Sequence, residues 1–284
     1  MFGKRPDGRV IKNIQPMMKI VPYLMKTRTD SMNMYEDVIP CEPMDAYIAA
    51  KKAQGIEMSY MTIMIAALVR LMALRPQLNR FVMNGKVYTR PKIWISFVVH
   101  TTLKEDSEET TIKLCFEGTE TILEIAQMIN ERIAKETGTK RTDNGTDKLV
   151  NFILSLGPIT KLLVNTLLFM DRHNIMPKAV IELSPFHTSG FITNLKSLGI
   201  NHIFHHVYEF GTTGIFLAMG KEKKVPVVQG NGFAIQKQLG WGLVSDERFC
   251  DGLYFARSLK KFKRFLADPA QLEVPLDKKV EDVD

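Results

Sequence analysis

The residues of this chain best equipped for proton transfer or nucleophilic attack collect in its last third. His202 precedes the pair His205-His206, which Tyr208 and Glu209 follow at short range. Adjacent residues of an alternating strand face opposite sides, so His205 and His206 diverge and a shared metal is not expected. His100, His173 and His187 stand alone and are expected to be structural or surface residues. Further on, the run Ser245-Asp246-Glu247-Arg248-Phe249-Cys250-Asp251-Gly252 leads into a helical stretch from Leu253 to Leu266. Glu247 can there pair with Arg248 or another cation. Alternatively, apolar surroundings lent by Phe249 or Trp241 would raise its affinity for a proton. The three cysteines, Cys41, Cys115 and Cys250, are widely spaced and odd in number. They give neither zinc spacing nor a disulfide framework, and a reducing cytoplasm is the expected location.

The elements that must carry these residues follow from the hydrophobic pattern. Residues 16–29 suggest a short helix, Met34 to Cys41 a strand, and Pro43 to Gln54 a helix closed by Gly55. Ser59 to Leu74 is apolar nearly all round, as in a helix buried on most faces, and Arg75-Pro76 stops it. Phe81 to Tyr88 carries the Asn84-Gly85 turn signal between two extended runs. Ile93 to Val99 reads as a strand covered on both faces, while Thr110 to Phe116 alternates with Ile112, Leu114 and Phe116 on one side. Glu120 to Glu136 repeats Ile122, Ile125, Ala126, Ile129 and Ile133 at helical spacing, and a polar loop over 138–147 follows. Leu149 to Phe169 approaches the ~20 residues of a membrane span. Lys148, Lys161, Asn151, Asn165 and the Gly157-Pro158 break favour two short helices instead, with contact to a lipid surface as the minor alternative. Strands are expected at 179–183, 189–195, 203–209, 213–220, 225–235 and 238–245. A last helix runs from Gly252 to about Ala267, before Asp268-Pro269. Mixed strands with helices between them make an α/β sandwich.

Composition narrows the classes. The chain has 284 residues, 45% hydrophobic and 24% charged, which suits a soluble globular protein. A formal charge of +7 suits an anionic ligand or an acidic partner. The basic residues are scattered, however, and the cluster Lys260, Lys261, Lys263, Arg264 reads as the solvated face of a helix, so no nucleic-acid partner is expected. The start, Met1 to Arg9, has no apolar stretch behind it, so no secretory signal is expected.

Taken together, these segments resemble the chloramphenicol acetyltransferase-like superfamily, and within it the catalytic core of the 2-oxo acid dehydrogenase acyltransferases. The 246–252 run resembles the D-H-R-x-x-D-G of those cores, with Glu247 at the histidine position. Leu24 to Met32 is similar to I-A-x-R-M-x-x-S, and Arg75-Pro-Gln-Leu-Asn79 to x-P-x-L-N. Ser189 to Ile200 is similar to T-F-T-I-S-N-L-G-x-x-G-I, and Thr213 to Lys221 to A-I-L-A-V-G-K. The resemblance covers roughly residues 16–269 in order. The G-L-x-x-P strand of the family is missing, with a charged connection over 103–111 in its place. Residues 140–178 look like a helical insertion in a single domain spanning 1–284, and no lipoyl domain is expected before it.

The resemblance implies a two-layer α/β sandwich with a mixed central sheet and helices packed on it. It also implies a homotrimer with active sites between subunits, and acyl transfer between coenzyme A and a small-molecule acceptor, with no metal. Glu247 would stand where the catalytic base stands, and Thr193 would offer its hydroxyl to the oxyanion from the neighbouring subunit. Asp251 would be the structural carboxylate, paired with Arg28 and supported by Asn194 and Gly252. With no histidine at 247, His206 or His205 is the possible alternative base. A catalytically inactive homologue, kept as a trimeric scaffold or ligand-binding protein, is the alternative function.

Overall fold

The computed structural model describes residues 4–100, 109–137 and 145–284. Nine strands and eight α-helices occur among them. The strands are β1 (Arg9–Val10), β2 (Met32–Pro40), β3 (Arg80–Met83), β4 (Lys86–Thr89), β5 (Ile93–His100), β6 (Glu109–Phe116), β7 (Gly190–Asn194), β8 (Ile215–Gln229) and β9 (Gly232–Asp246). The helices are α1 (Pro16–Leu24), α2 (Glu42–Ala53), α3 (Tyr60–Leu74), α4 (Ile122–Thr137), α5 (Gly145–Ser155), α6 (Thr160–Arg172), α7 (Lys178–Leu183) and α8 (Gly252–Ala267). The charged connection over 103–111 and the polar loop over 138–147 fall mostly outside the described residues, as does the side chain of His100.

A mixed sheet in the order β2-β9-β8-β7-β5-β6 forms the body, and a three-stranded sheet, β1-β4-β3, flanks it. Pairing is antiparallel except at β5–β7 and β7–β8, which are parallel. Helix α3 lies at the centre of the helical layer because it is apolar on every side. Only Leu74 of its residues is not buried, and it packs on α4, α8 and β5. Ser59 starts it by accepting from the Thr62 N–H at 3.1 Å. Alternation along β5 sends Ile93, Ile95 and Phe97 into this core. It sends Trp94, Ser96 and Val98 to the opposite face of the sheet. Asn84 and Gly85 both have positive φ, 48° and 74°, in the tight β3–β4 hairpin that their types foretold.

Three sequence expectations are corrected. Residues 179–183 form α7 rather than a strand; Pro177 stands immediately before its first turn, and Lys178 and Glu182 pair one turn apart. The expected strands 213–220, 225–235 and 238–245 are two long ones, β8 and β9, turning at Gly230 with φ 59°. The third correction concerns 203–209, which form no strand. β7, β8 and β9 are interior strands, each paired on both sides, so this apolar stretch finds no free edge beside them. It lies across the sheet instead, where Val207 is buried among Phe191, Phe216 and Val244.

Helices α5 and α6 occupy the stretch between 145 and 172, separated at Gly157, as the Gly157-Pro158 break suggested. Among the described residues no helix is long and apolar enough to cross a membrane.

Candidate active site

Two places hold the residues singled out above. The first is the turn after β9. Asp246 is buried and grips Arg248 through two hydrogen bonds, Nε to Oδ1 at 2.8 Å and Nη2 to Oδ2 at 2.7 Å. The Ser31 hydroxyl donates to Asp246 Oδ1 at 3.1 Å, and Arg248 Nη1 donates to the Met25 carbonyl at 3.0 Å. The Glu247 N–H donates to the Ser31 carbonyl at 3.0 Å. The turn is therefore fastened to residues 25–31 on three sides. Glu247 itself is exposed, and Arg248 is engaged by Asp246 rather than by Glu247. Phe249 and Cys250 are buried, and burial pushes the Cys250 thiol up to about 12, with Asp251 adding to the effect.

Asp251 caps α8, accepting the Tyr254 N–H at 2.8 Å. The expected Arg28–Asp251 pair is not formed. Arg28 is buried and donates to the carbonyls of Glu209 (2.8 Å), Tyr208 (3.1 Å) and Val82 (3.1 Å). Burial lowers its pKa, against the opposing field of Asp246. The guanidinium thus pins the 208–209 backbone, while Asp251 serves a helix end. A Cβ on Gly252 would meet nothing within 4 Å, so no close approach of the backbone calls for a glycine there.

The second place is the face of the sheet covered by residues 195–213. Thr193, near the end of β7, has its Oγ1 at 3.1 Å from His205 Nε2. The imidazole is stacked on Phe216 at 4.4 Å between centroids, with 20° between the planes. Burial, then the neighbouring His206, lowers the pKa of His205. The ring is therefore neutral at pH 7 and has a lone pair to offer. His206 is exposed, so the two histidines do point differently, although no strand separates them. A cavity of about 480 Å³ opens beside the pair, walled by Phe186, Phe191, Phe216 and Tyr208. Asn194 shapes the turn that closes β7, with its Oδ1 accepting from the Ser197 N–H at 3.3 Å.

Neither Glu247 nor Asp251 lines this cavity. Thr193 lies opposite Ala218, which lies opposite Gly242, and Glu247 follows five residues later. At ~3.3 Å per residue and ~4.8 Å per strand, Thr193 and Glu247 of one chain are on the order of 20 Å apart.

Sequence reading missed the glycines that let the cover descend. A Cβ on Gly220 would come 2.3 Å from His202 N, and one on Gly242 would come 2.7 Å from His202 Cδ2. Gly220, Gly240 and Gly242 together form the bed on which His202 rests, while its Nε2 reaches Glu36 at 2.9 Å. The G-K pair within β8 and the G-W-G run within β9 were the available signal. His187 is buried beside Asp171, at 3.2 Å, and Ser184, at 2.8 Å; His173 stacks on Phe169. Among the described residues no group of three or more His, Cys, Asp or Glu is placed to hold a metal ion.

Comparison with known proteins bears on both places. Residues 187–274, which include Thr193, His205 and the 246–252 turn, match the family of 2-oxoacid dehydrogenases acyltransferase (catalytic domain). The dihydrolipoyllysine-residue acetyltransferase component of the acetoin cleaving system of Bacillus subtilis is 38% identical over 81 residues, which is 28% of this chain and 20% of that relative's length. Similar solved structures include the dihydrolipoamide acetyltransferase of Azotobacter vinelandii, with a TM-score of 0.58, 15% identity, and 93% of this chain and 94% of that one covered. A chloramphenicol acetyltransferase gives a TM-score of 0.55 at 12% identity, covering 91% of this chain and 99% of that one. The chain therefore has the chloramphenicol acetyltransferase-like fold, and its residues 187–274 are similar in sequence to the 2-oxoacid dehydrogenases acyltransferase (catalytic domain) family.

Proposed function

We propose that this chain is an acyltransferase that moves an acyl group between coenzyme A and a small-molecule acceptor, with Thr193 and His205 as the reacting pair. The observation carrying this reading is the Thr193 Oγ1 to His205 Nε2 contact of 3.1 Å beside an aromatic-walled cavity. In the resting site the Thr193 hydroxyl donates to the imidazole. An incoming hydroxyl or thiol replaces it there and gives its proton to Nε2 as it attacks the acyl carbon. The freed Thr193 hydroxyl turns to the developing oxyanion, where one such donor is worth ~3–4 kcal/mol. The intermediate collapses with rupture of the carbon–sulfur bond, and the departing thiolate takes the proton back from His205.

His205 is a better base than Glu247 on simple grounds. A thiol near pKa ~8.5 lies about two units above an ordinary imidazole and about four above a glutamate, a difference of roughly 3 kcal/mol. Glu247, on the order of 20 Å from the Thr193 of its own chain, reaches a Thr193–His205 pair only from a second copy. This supports a trimeric assembly, with Glu247 as a positioning carboxylate that steadies the partner's imidazole. Arg28, Asn194, Asp251 and Gly252 act through the backbone they hold rather than on the substrate. The chain is then one catalytic domain carrying α5 and α6 as an inserted helical pair.

Calorimetric titration with coenzyme A and acetyl-CoA tests the reading without knowledge of the acceptor. Saturable binding at micromolar to sub-millimolar concentration is expected, and no binding up to the millimolar range would sink it. Binding by a protein that releases no coenzyme A with any acceptor would instead favour the inactive ligand-binding homologue.

A further inference from the structure

A second cavity, of about 390 Å³, lies farther along the same face of the sheet, and the Thr193 site does not use it. Lys113 and Cys115 of β6 and Trp94 of β5 face into it, since Trp94 stands opposite Cys115 and Ser96 opposite Lys113. Arg90 and the exposed Lys92 and Lys178 line it as well, against the carboxylates of Asp7 and Glu182. Cations outnumber carboxylates among these lining side chains, with Lys92 paired to Glu117 beyond the lining and Lys178 to Glu182.

Lys113 has unusual partners. Its Nζ donates to the carbonyls of Ile181 at 2.7 Å and Ser184 at 2.9 Å, at the C-terminal end of α7. It also lies 4.8 Å from the centre of the Trp94 ring. Among the described residues it makes no ion pair with a carboxylate. A neutral amine has two N–H bonds, the number these carbonyls take up, and a lone pair is then left over for the cavity. An ammonium in the same place would hold a third N–H toward a half-buried, already cationic pocket.

We propose that Lys113 is a site of covalent acylation by small, anionic, activated acyl compounds that enter this second cavity. The Nζ lone pair attacks the acyl carbon of the donor, an acyl phosphate for instance. A carbon–nitrogen bond forms, the carbon–oxygen bond to phosphorus breaks, phosphate departs, and the surplus amine proton passes to solvent. The cationic lining favours the anionic donor and leaving group. Burial, then the field of Arg90, brings Lys113 down to about 7, so that ~75% of it is neutral at pH 7.5, against ~0.1% of an ordinary lysine. Cys115 does not compete, because burial raises its thiol to about 11. The product amide keeps one N–H and so can satisfy only one of the Ile181 and Ser184 carbonyls. It also removes the titratable amine beside Trp94.

The inference is independent of the Thr193–His205 reading, because the chemistry needs no acceptor site and no coenzyme A. The test is partial reaction of the native protein with acetyl phosphate, followed by mass-spectrometric quantification of each lysine. At pH 7.5 Lys113 should acquire acetyl at least about tenfold faster than exposed lysines such as Lys260 and Lys278, the gain in neutral amine being partly offset by lower nucleophilicity. Its rate should level off above about pH 8, while those of the exposed lysines rise about tenfold per pH unit. Cys115→Ser should leave the Lys113 rate unchanged. Labelling of Lys113 no faster than Lys260, a rate climbing in parallel with it, or loss of labelling in the Cys115→Ser variant would each overturn the proposal.

Discussion

The turn at 246–252 and the β7 end at 193–205 are both parts of the segment that matches an acyltransferase family, yet they are built in opposite ways. In the turn, the motif residues are spent on architecture: Asp246 holds Arg248, Asp251 caps α8, and Phe249 fills the core. Glu247, exposed as Asp251 and Gly252 are, lends the fastening of the turn only its backbone N–H. At the β7 end, Thr193 from one motif and His205 from outside any motif are brought within 3.1 Å of each other beside a cavity. Motif letters therefore mark where a chain must turn and cap, whereas reactive geometry depends on which segment comes to lie over the sheet.

Experiments can break this contrast. The largest effect is expected from His205→Ala, with kcat/KM for acyl transfer falling by ~10²–10⁴ while coenzyme A still binds. His206→Ala, altering an exposed ring, should leave turnover unchanged. If His206 proved the more sensitive, the assignment would be reversed. In the turn, Asp246→Asn should cost ~3–5 kcal/mol in urea unfolding, since it strands a buried guanidinium. A loss below about 1 kcal/mol would show the ion pair to be ornamental.

Thr193→Val should lower kcat by ~10²–10³ with little change in KM, as loss of an oxyanion donor does. An effect confined to KM would assign Thr193 to binding alone. The pH profile sharpens the comparison further. His205 must be neutral to act, and its pKa is lowered by burial, so activity should persist below pH ~6.5 and fail only in more acidic solution. His187 is lowered for the same first reason, and both rings stay uncharged in the fold to lower pH than in the unfolded chain. Stability should thus decline as pH falls below ~6.5, where the unfolded state takes up protons first. An acid limb centred above pH 7 would exclude His205 as the base. The smallest effect is expected from Glu247→Gln, within ~0.5 kcal/mol of wild-type stability, because the side chain is exposed.

Much of the layout could be read along the chain. The all-round apolar run at 60–74, the Asn84-Gly85 turn, the Gly157-Pro158 break and the alternation of β5 and β6 each follow from local sterics or from a period that local residues set. The 246–252 letters similarly located the turn and the helix behind it.

What the chain alone could not decide was the use of 200–213. Ile203, Phe204 and Val207 have strand propensity, but β7, β8 and β9 are each paired on both sides and offer them no edge. Once the segment is forced across the sheet, glycines at 220, 240 and 242 admit His202, and Phe216 orients His205 toward Thr193. The absence of the Arg28–Asp251 pair has the same origin: Arg28 meets the carbonyls of 208–209 because the cover passes there. Sequence determined the elements and their ends, because those depend on neighbours a few residues away. Tertiary structure decided which histidine meets the threonine, because that depends on competition among distant segments for one sheet.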